Sequence, residues 1–198
     1  MATIDVDPDE TPSRGAGGEH RPGLGRDHPP GQGSPEAAAP PLAESHPLIR
    51  FARPGDIEAL VGLLGELFAI EEDFSFDAAL QRRGLDMMLG DGENRCVFVA
   101  EVGGLVAGMV TGQMVVSTAE GGPSVLVEDM VVAASHRGRG LGAKLMAALE
   151  RWAGMRGASR LQLVADKDNE AAFAFYGRRG WKPTNLVVLR KKGFAGAP

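Results

Sequence analysis

Two adjacent carboxylates, Glu128 and Asp129, interrupt an otherwise apolar run, Val125-Leu126-Val127 before them and Met130-Val131-Val132 after. Burying a charge inside a strand is costly unless it has a partner or a task. The task that fits a carboxylate is to take a proton or hold a cation. Just downstream lies Arg137-Gly138-Arg139-Gly140-Leu141-Gly142, followed by Ala143. Glycines there let a backbone come close to a ligand and adopt positive φ. The segment after them has helical periodicity, and a helix N-terminus offers unpaired N–H groups and a partial positive charge. Strand, glycine loop and helix start together make a seat for phosphate.

Three phosphate motifs compete for this loop. The P-loop needs Gly-Lys-Ser/Thr, and here Gly142 is followed by Ala143-Lys144-Leu145, so it fails. A dinucleotide fingerprint matches at Gly138, Gly140 and Ala143, with Asp166 placed like a ribose-binding acid. Against it, the opening strand of that fold is continuously apolar, while this one carries Glu128-Asp129. Residues Ala133 to Arg137 also make the connection too long. The third pattern is Arg-x-x-Gly-x-Gly, carried by Arg137, Gly140 and Gly142.

The elements that must position these groups follow from periodicity. Leu48–Ala52 reads as a short strand, and Arg53-Pro54-Gly55-Asp56 as a turn with Asp56 as helix N-cap. Ile57, Leu60, Val61, Leu64, Leu67 and Phe68 share one helical face over 57–70, which Glu71-Glu72-Asp73 ends. A second helix is expected from Asp77 to Leu89. Strands follow at 95–102 and 105–117, joined by the hairpin loop Gly103-Gly104, and then at 125–132. The helix after the glycine loop buries Leu141, Leu145, Ala148, Leu149 and Trp152. A strand at 161–165, a helix capped by Asp168-Asn169 and carrying Tyr176, and a closing strand at Leu186–Arg190 complete the chain. The order β-αα-βββ-α-β-α-β is α+β, or mixed α/β, rather than a regular βαβ alternation.

The chain of 198 residues fits one globular domain. Residues 1–46 are rich in proline and glycine and lack periodic apolar positions, so they read as a disordered tail. The domain is expected over 47–192, with a short tail at 193–198. Net charge is −5, which disfavours nucleic acid as a partner. Cys96 is the single cysteine, and no internal disulfide is possible, which suits a reducing, cytoplasmic setting. In its apolar run it reads as a small hydrophobe. No run approaches membrane-span length, and no membrane association is expected. His20, His28 and His46 are too widely spaced for a metal site, and none is expected.

The loop and its flanks resemble the GCN5-related N-acetyltransferases. Arg137, Gly140 and Gly142 match that family's Q/R-x-x-G-x-G/A motif, and Asn169 to Trp181, with Ala172 and Phe175-Tyr176, matches its later segment. The resemblance spans about residues 48–192 and implies direct transfer of an acetyl group from acetyl-CoA to an amine in a ternary complex. It implies pyrophosphate held by backbone N–H groups of Arg139 to Ala143, including Gly140, Leu141 and Gly142, with Arg137, Gly138 and Arg139 in the loop. The pantetheine arm would pair like a strand with Met130-Val131-Val132, an amide near Val131 or Val132 would polarise the thioester, and Asn169 would contact the arm or cap its helix. Glu128 would be the base, Asp129 an acceptor contact and Tyr176 the acid for the leaving thiolate. Glu71 and Glu72 would join them in an anionic cleft for a cationic amine. The adjacent Glu-Asp pair is similar to the diamine acetyltransferases. The acceptor expected is therefore a small cationic amine, with a peptide or protein amine as the rival and a non-catalytic acyl-CoA-binding module as the alternative class. A homodimer is left open.

Overall fold

The structure, a computed structural model, describes residues 2–3, 46–70 and 74–193. Its strands are β1 (Ala2–Thr3), β2 (Leu48–Phe51), β3 (Arg95–Val102), β4 (Leu105–Ser117), β5 (Gly122–Val132) and β6 (Leu161–Leu163). Its helices are α1 (Ile57–Phe68), α2 (Ala78–Leu89), α3 (Leu141–Met155) and α4 (Glu170–Arg178). The sheet runs β1-β5-β4-β3-β2, with β6 also on β5. β2, β3, β4 and β5 are antiparallel neighbours, whereas β6 and β1 run parallel to β5. This is the mixed α/β architecture expected, a central mixed sheet between helices.

Alternation along the strands sorts apolar side chains onto two faces. Val125, Val127, Met130 and Val132 of β5 join the inner faces of α3 and α4, including Leu145, Leu149, Trp152, Phe175 and Tyr176. Val97, Val99, Met109 and Val131 join α1 and α2 through Leu60, Leu64, Leu67 and Leu85. Burying each such side chain contributes roughly 1.5–3 kcal/mol. Gly112 lets α3 lie tightly on β4, since a Cβ there would sit 2.6 Å from Leu149 Cδ1 and 3.2 Å from Cys96 Sγ. The Gly103-Gly104 hairpin has φ of 57° and 82°, the left-handed pair that only glycine adopts at little cost.

Three local expectations change. Asp56 precedes α1 without a side-chain cap bond. Its carboxylate instead accepts Arg50 Nη1 at 2.7 Å, Arg50 Nη2 at 3.0 Å and the Arg53 N–H at 2.7 Å. Arg50 also donates to Glu101 Oε2 at 2.8 Å, so the turn is tied to β3 by a guanidinium between two carboxylates. Second, Leu186–Arg190 forms no strand. Leu186, Val187, Val188 and Leu189 are exposed, and Arg190 lies over the Phe74 ring at 4.2 Å. An apolar β-branched run has strand propensity, but propensity makes no ladder without an edge to pair with. Third, the first residues after Met1, expected in a disordered tail, pair with β5 as β1. The remainder of that tail to residue 45 lies outside the described residues.

Candidate active site

The site is built on β5, which behaves differently along its length. In its first half Val125, Leu126 and Val127 are paired with β4 on one edge and with Leu161, Gln162 and Leu163 of β6 on the other. Further along, β6 no longer pairs, and the same edge carries Ala2 and Thr3 opposite Met130 and Val131.

The β4–β5 register shifts between these halves. Val110 faces Met130, but Gly112 faces Val127, so Thr111 stands opposite both Glu128 and Asp129. This is a β-bulge, one extra residue on β5. It explains why Val127 and Met130, three residues apart, share a core face where regular alternation would separate them. A bulge re-aims side chains, and here the residues it re-aims are the two carboxylates. Thr111 belongs to the α1–α2 side, since Val97 across from it and Met109 two residues before it pack there. Asp129 is anchored to that side. Its N–H donates to Thr111 Oγ1 at 2.9 Å, and the Thr111 hydroxyl donates to Asp129 Oδ2 at 3.3 Å. Burial raises the Asp129 carboxyl above the usual carboxylate range. The amino terminus opposes that shift, Glu128 adds to it, and the Thr111 hydrogen bond again opposes it. Glu128 is exposed.

Beyond the bulge, Ala133 N–H donates to Ala107 O at 2.9 Å, across to β4. Backbone groups alternate direction, so Val131 also points its N–H and C=O at β4. Its carbonyl lies 3.0 Å from where a Gly108 Cβ would be. Met130 and Val132 therefore turn their polar backbone outward. Of the two amides expected near a thioester, Val131 is committed to β4, and Val132 faces the edge that carries β1.

A 3-10 turn at Ala134–His136 leads into the glycine loop. Gly138 and Gly140 have φ of 76° and 71°, and Gly140 is the left-handed N-cap of α3. The N-cap itself makes no side-chain cap bond. A glycine loop opening a helix in this way is the form of an anion seat. Leu141 and Gly142 are buried, and Ala143 is half-buried in the first turn. Arg139 is exposed. Arg137 turns back on the loop, donating from Nε to Val132 O at 3.0 Å, with Nη2 3.9 Å from Glu66 Oε2. Glu66 also accepts the Ala134 N–H at 3.0 Å, which ties the loop to α1.

Asn169 is the N-cap of α4, its Oδ1 accepting the Ala172 N–H at 2.9 Å. Tyr176 is buried on α4 against Phe175 and Trp181, with ring centroids 5.2 and 5.5 Å away. Burial holds its phenol protonated far above the ordinary range. Glu71 and Glu72 lie outside the described residues. The described ends of that connection are apolar: Ile70, Phe74 and Phe76 are exposed, and Phe74 stacks on Phe68 at 5.6 Å.

Two contributors escape the sequence reading. Thr111 is the one polar side chain in Val110–Gly112, a pattern that alternation alone passes over. Glu66 is off the apolar face of α1, which reads as a solvated position. In both cases the partner is far away in the chain.

A family model described as the acetyltransferase (GNAT) family matches residues 60–181. The streptothricin acetyltransferase of Streptomyces lavendulae is 32% identical over 167 residues, covering 74% of this chain and 87% of that protein. The uncharacterized N-acetyltransferase YobR of Bacillus subtilis is 39% identical over 66 residues, 33% of this chain, which spans 27% of YobR's length. Among solved structures, the aminoglycoside N-acetyltransferase AAC(6')-Iy in complex with CoA superposes with a TM-score of 0.65 at 21% identity, over 76% of this chain and 97% of that one.

Proposed function

The chain belongs to the acetyltransferase (GNAT) family of N-acetyltransferases, and we propose that it transfers the acetyl group of acetyl-CoA to a primary amine of a small polycationic molecule. The observation that carries this reading is the bulge, which sets Glu128 and Asp129 side by side next to an outward-facing backbone edge. The name of the streptothricin acetyltransferase and the aminoglycoside acetyltransferase structures support a small-molecule amine acceptor.

The helix-capped loop would hold the CoA pyrophosphate through the amides of Arg139 to Ala143, with Gly138 and Gly140 giving the loop its left-handed turns. The pantetheine arm would pair along Met130 and Val132 in place of Ala2 and Thr3, which stand opposite Met130 and Val131 on that edge. An alkylammonium with a pKa near ~10 is no nucleophile. Of the two carboxylates, Asp129 suits the base, because its raised pKa is a closer match to the amine than an ordinary carboxylate. Exposed Glu128 suits the acceptor's positive charge. These roles reverse those the resemblance implies. Asp129 takes a proton from the ammonium, and the neutral amine attacks the thioester carbon. The tetrahedral oxyanion forms near the Val132 amide. Collapse breaks the C–S bond and the thiolate leaves. Tyr176, kept protonated by burial, suits the donation of a proton to it. The acetylated nitrogen gives up its extra proton, which restores the tyrosine, and the products are the acetamide and CoA thiol. Asn169 serves as a cap for α4, and Arg137 braces the loop.

The test is release of free CoA thiol from acetyl-CoA across an amine panel: streptothricin, an aminoglycoside, spermidine, and a peptide with a free N-terminus. Turnover with the polycationic small molecules and little with the peptide is expected. Turnover with the peptide alone overturns the acceptor class, and CoA binding with turnover of none of them overturns the enzymatic reading.

A further inference from the structure

We infer that Thr111 is a positioning residue for the reaction, holding the Asp129 carboxylate in place through a reciprocal pair of hydrogen bonds at the bulge. This deepens the reading of Asp129 as base and rests on it.

Thr111 is 1% exposed, one of three buried polar residues among the described residues. The others, Ser117 and Ser124, have hydroxyls without a hydrogen-bond partner. Thr111 instead makes two bonds, and both go to one residue. A hydroxyl has a single proton. Its donation to Oδ2 orients the carboxylate, and the bond from the Asp129 N–H fixes where the hydroxyl oxygen lies. The side chain and the backbone of Asp129 are thereby locked together, with Oδ2 turned to Thr111.

The platform is rigid. Val110 before Thr111 is fully buried, and Gly112 after it is pressed against Leu149. The β-branch of threonine restricts χ1 further. A bulge removes ladder bonds, and the Thr111 oxygen takes up the Asp129 amide that the ladder does not reach. The residue thus does two things at once: it satisfies the bulge and aims the carboxylate beside it. The charged groups acting on Asp129 are the amino terminus and Glu128. From β4 only Thr111 presents a polar group there, between Val110 and Gly112.

The sign of the effect follows. A donor to a carboxylate favours its charged form, so removing it raises the pKa. Thr111→Val should move the acid limb of the kcat/KM pH profile upward by about one unit, because a hydrogen bond to a charged group is worth on the order of tenfold in the proton equilibrium. On the acid side of that limb kcat/KM should fall about tenfold, and the two proteins should converge above it, with KM for acetyl-CoA unchanged. Thr111→Ser should restore the wild-type limb. The shift is a difference between two proteins sharing the same amino terminus and Glu128. Carboxyl-carbon NMR titration of Asp129 reads the same shift in the free protein, without turnover. An unmoved limb and an unmoved titration in Thr111→Val overturn the inference, as does a Thr111→Ser protein that behaves like Thr111→Val. If Thr111→Val does not fold, the serine variant and the wild-type titration decide: a hydroxyl-bonded carboxyl keeps its wild-type titration in Thr111→Ser, and a changed one overturns the inference. Asp129→Asn separates the two readings. If it keeps full activity, the base assignment falls and this inference with it. If it is inactive while Thr111→Val keeps its limb, only this inference falls.

Discussion

The two halves of β5 differ in how many of their edges the sheet uses. From Val125 to Val127 the strand is paired on both edges, to β4 and to β6. From Glu128 to Val132 it is bulged on one edge, and on the other β6 gives way to two residues of the chain start. The first half is held by ladder and core, and a change there should be felt as lost stability. The second carries the two carboxylates at the bulge and shares its outer edge with the two residues of β1, and a change there should be felt as lost rate. A strand becomes a site where its pairing is incomplete and the interruption is built into the register.

The sharpest attack on the second half is Asp129→Asn. It should lower kcat by about 100-fold or more, the usual scale for a lost general base, with CoA affinity by calorimetry within about twofold of wild type. In the wild type the acid limb of the pH profile should lie above the ordinary ~3.9 of an aspartate, because burial disfavours the anion. A limb at the ordinary value would reassign the base. Tyr176→Phe comes next, expected to slow turnover by roughly 100-fold while the thermal midpoint barely moves. A variant that keeps its rate would make the tyrosine a core aromatic.

The first half is broken by Gly112→Val. The added carbons meet Leu149, Cys96 and Val125, the nearest at 2.6 Å. Overpacking of this kind costs about 1–3 kcal/mol, read as a lower midpoint in a thermal melt, with kcat at low temperature kept. If the rate falls instead while the midpoint holds, the halves are not separable. Gly140→Val tests the loop the second half leads into. A β-branched residue at φ 71° is strained by about 1–2 kcal/mol, so CoA should bind roughly tenfold more weakly. The smallest effect concerns Cys96 on β3, buried beside Gly112. Burial pushes its thiol up to about 12, so a thiol reagent at pH 8 should leave the native protein unlabelled and label it fully in denaturant. Rapid native labelling would show that the first half opens readily.

Much of this was legible in the chain. The apolar stripe Leu141, Leu145, Ala148, Leu149 and Trp152 gives α3 and is buried as expected. The Gly103-Gly104 hairpin and the Asp77 cap, whose carboxylate accepts the Ala79 and Leu80 N–H groups, are local devices that neighbours in sequence decide. Leu186–Arg190 shows the limit: its composition favours a strand, yet no partner edge reaches it. Asp56 shows it differently, since a residue at a helix start reads as a cap, while Arg50 and its second partner Glu101 come from two strands.

The sequence by itself determined the periodic elements, the glycine loop ahead of a helix, and the presence of two adjacent carboxylates and a single tyrosine. These depend on spacing within a few residues, where helix and strand geometry leave little choice. Tertiary structure alone decided how the carboxylates are used. The extra β5 residue is visible only as a register against β4, and Thr111, 18 residues away in the chain, is what the bulge turns Asp129 towards. The Val131 amide faces β4 and the Val132 amide faces the β1 edge for the same reason: a strand's polar groups alternate, and the sheet decides which neighbour each set meets.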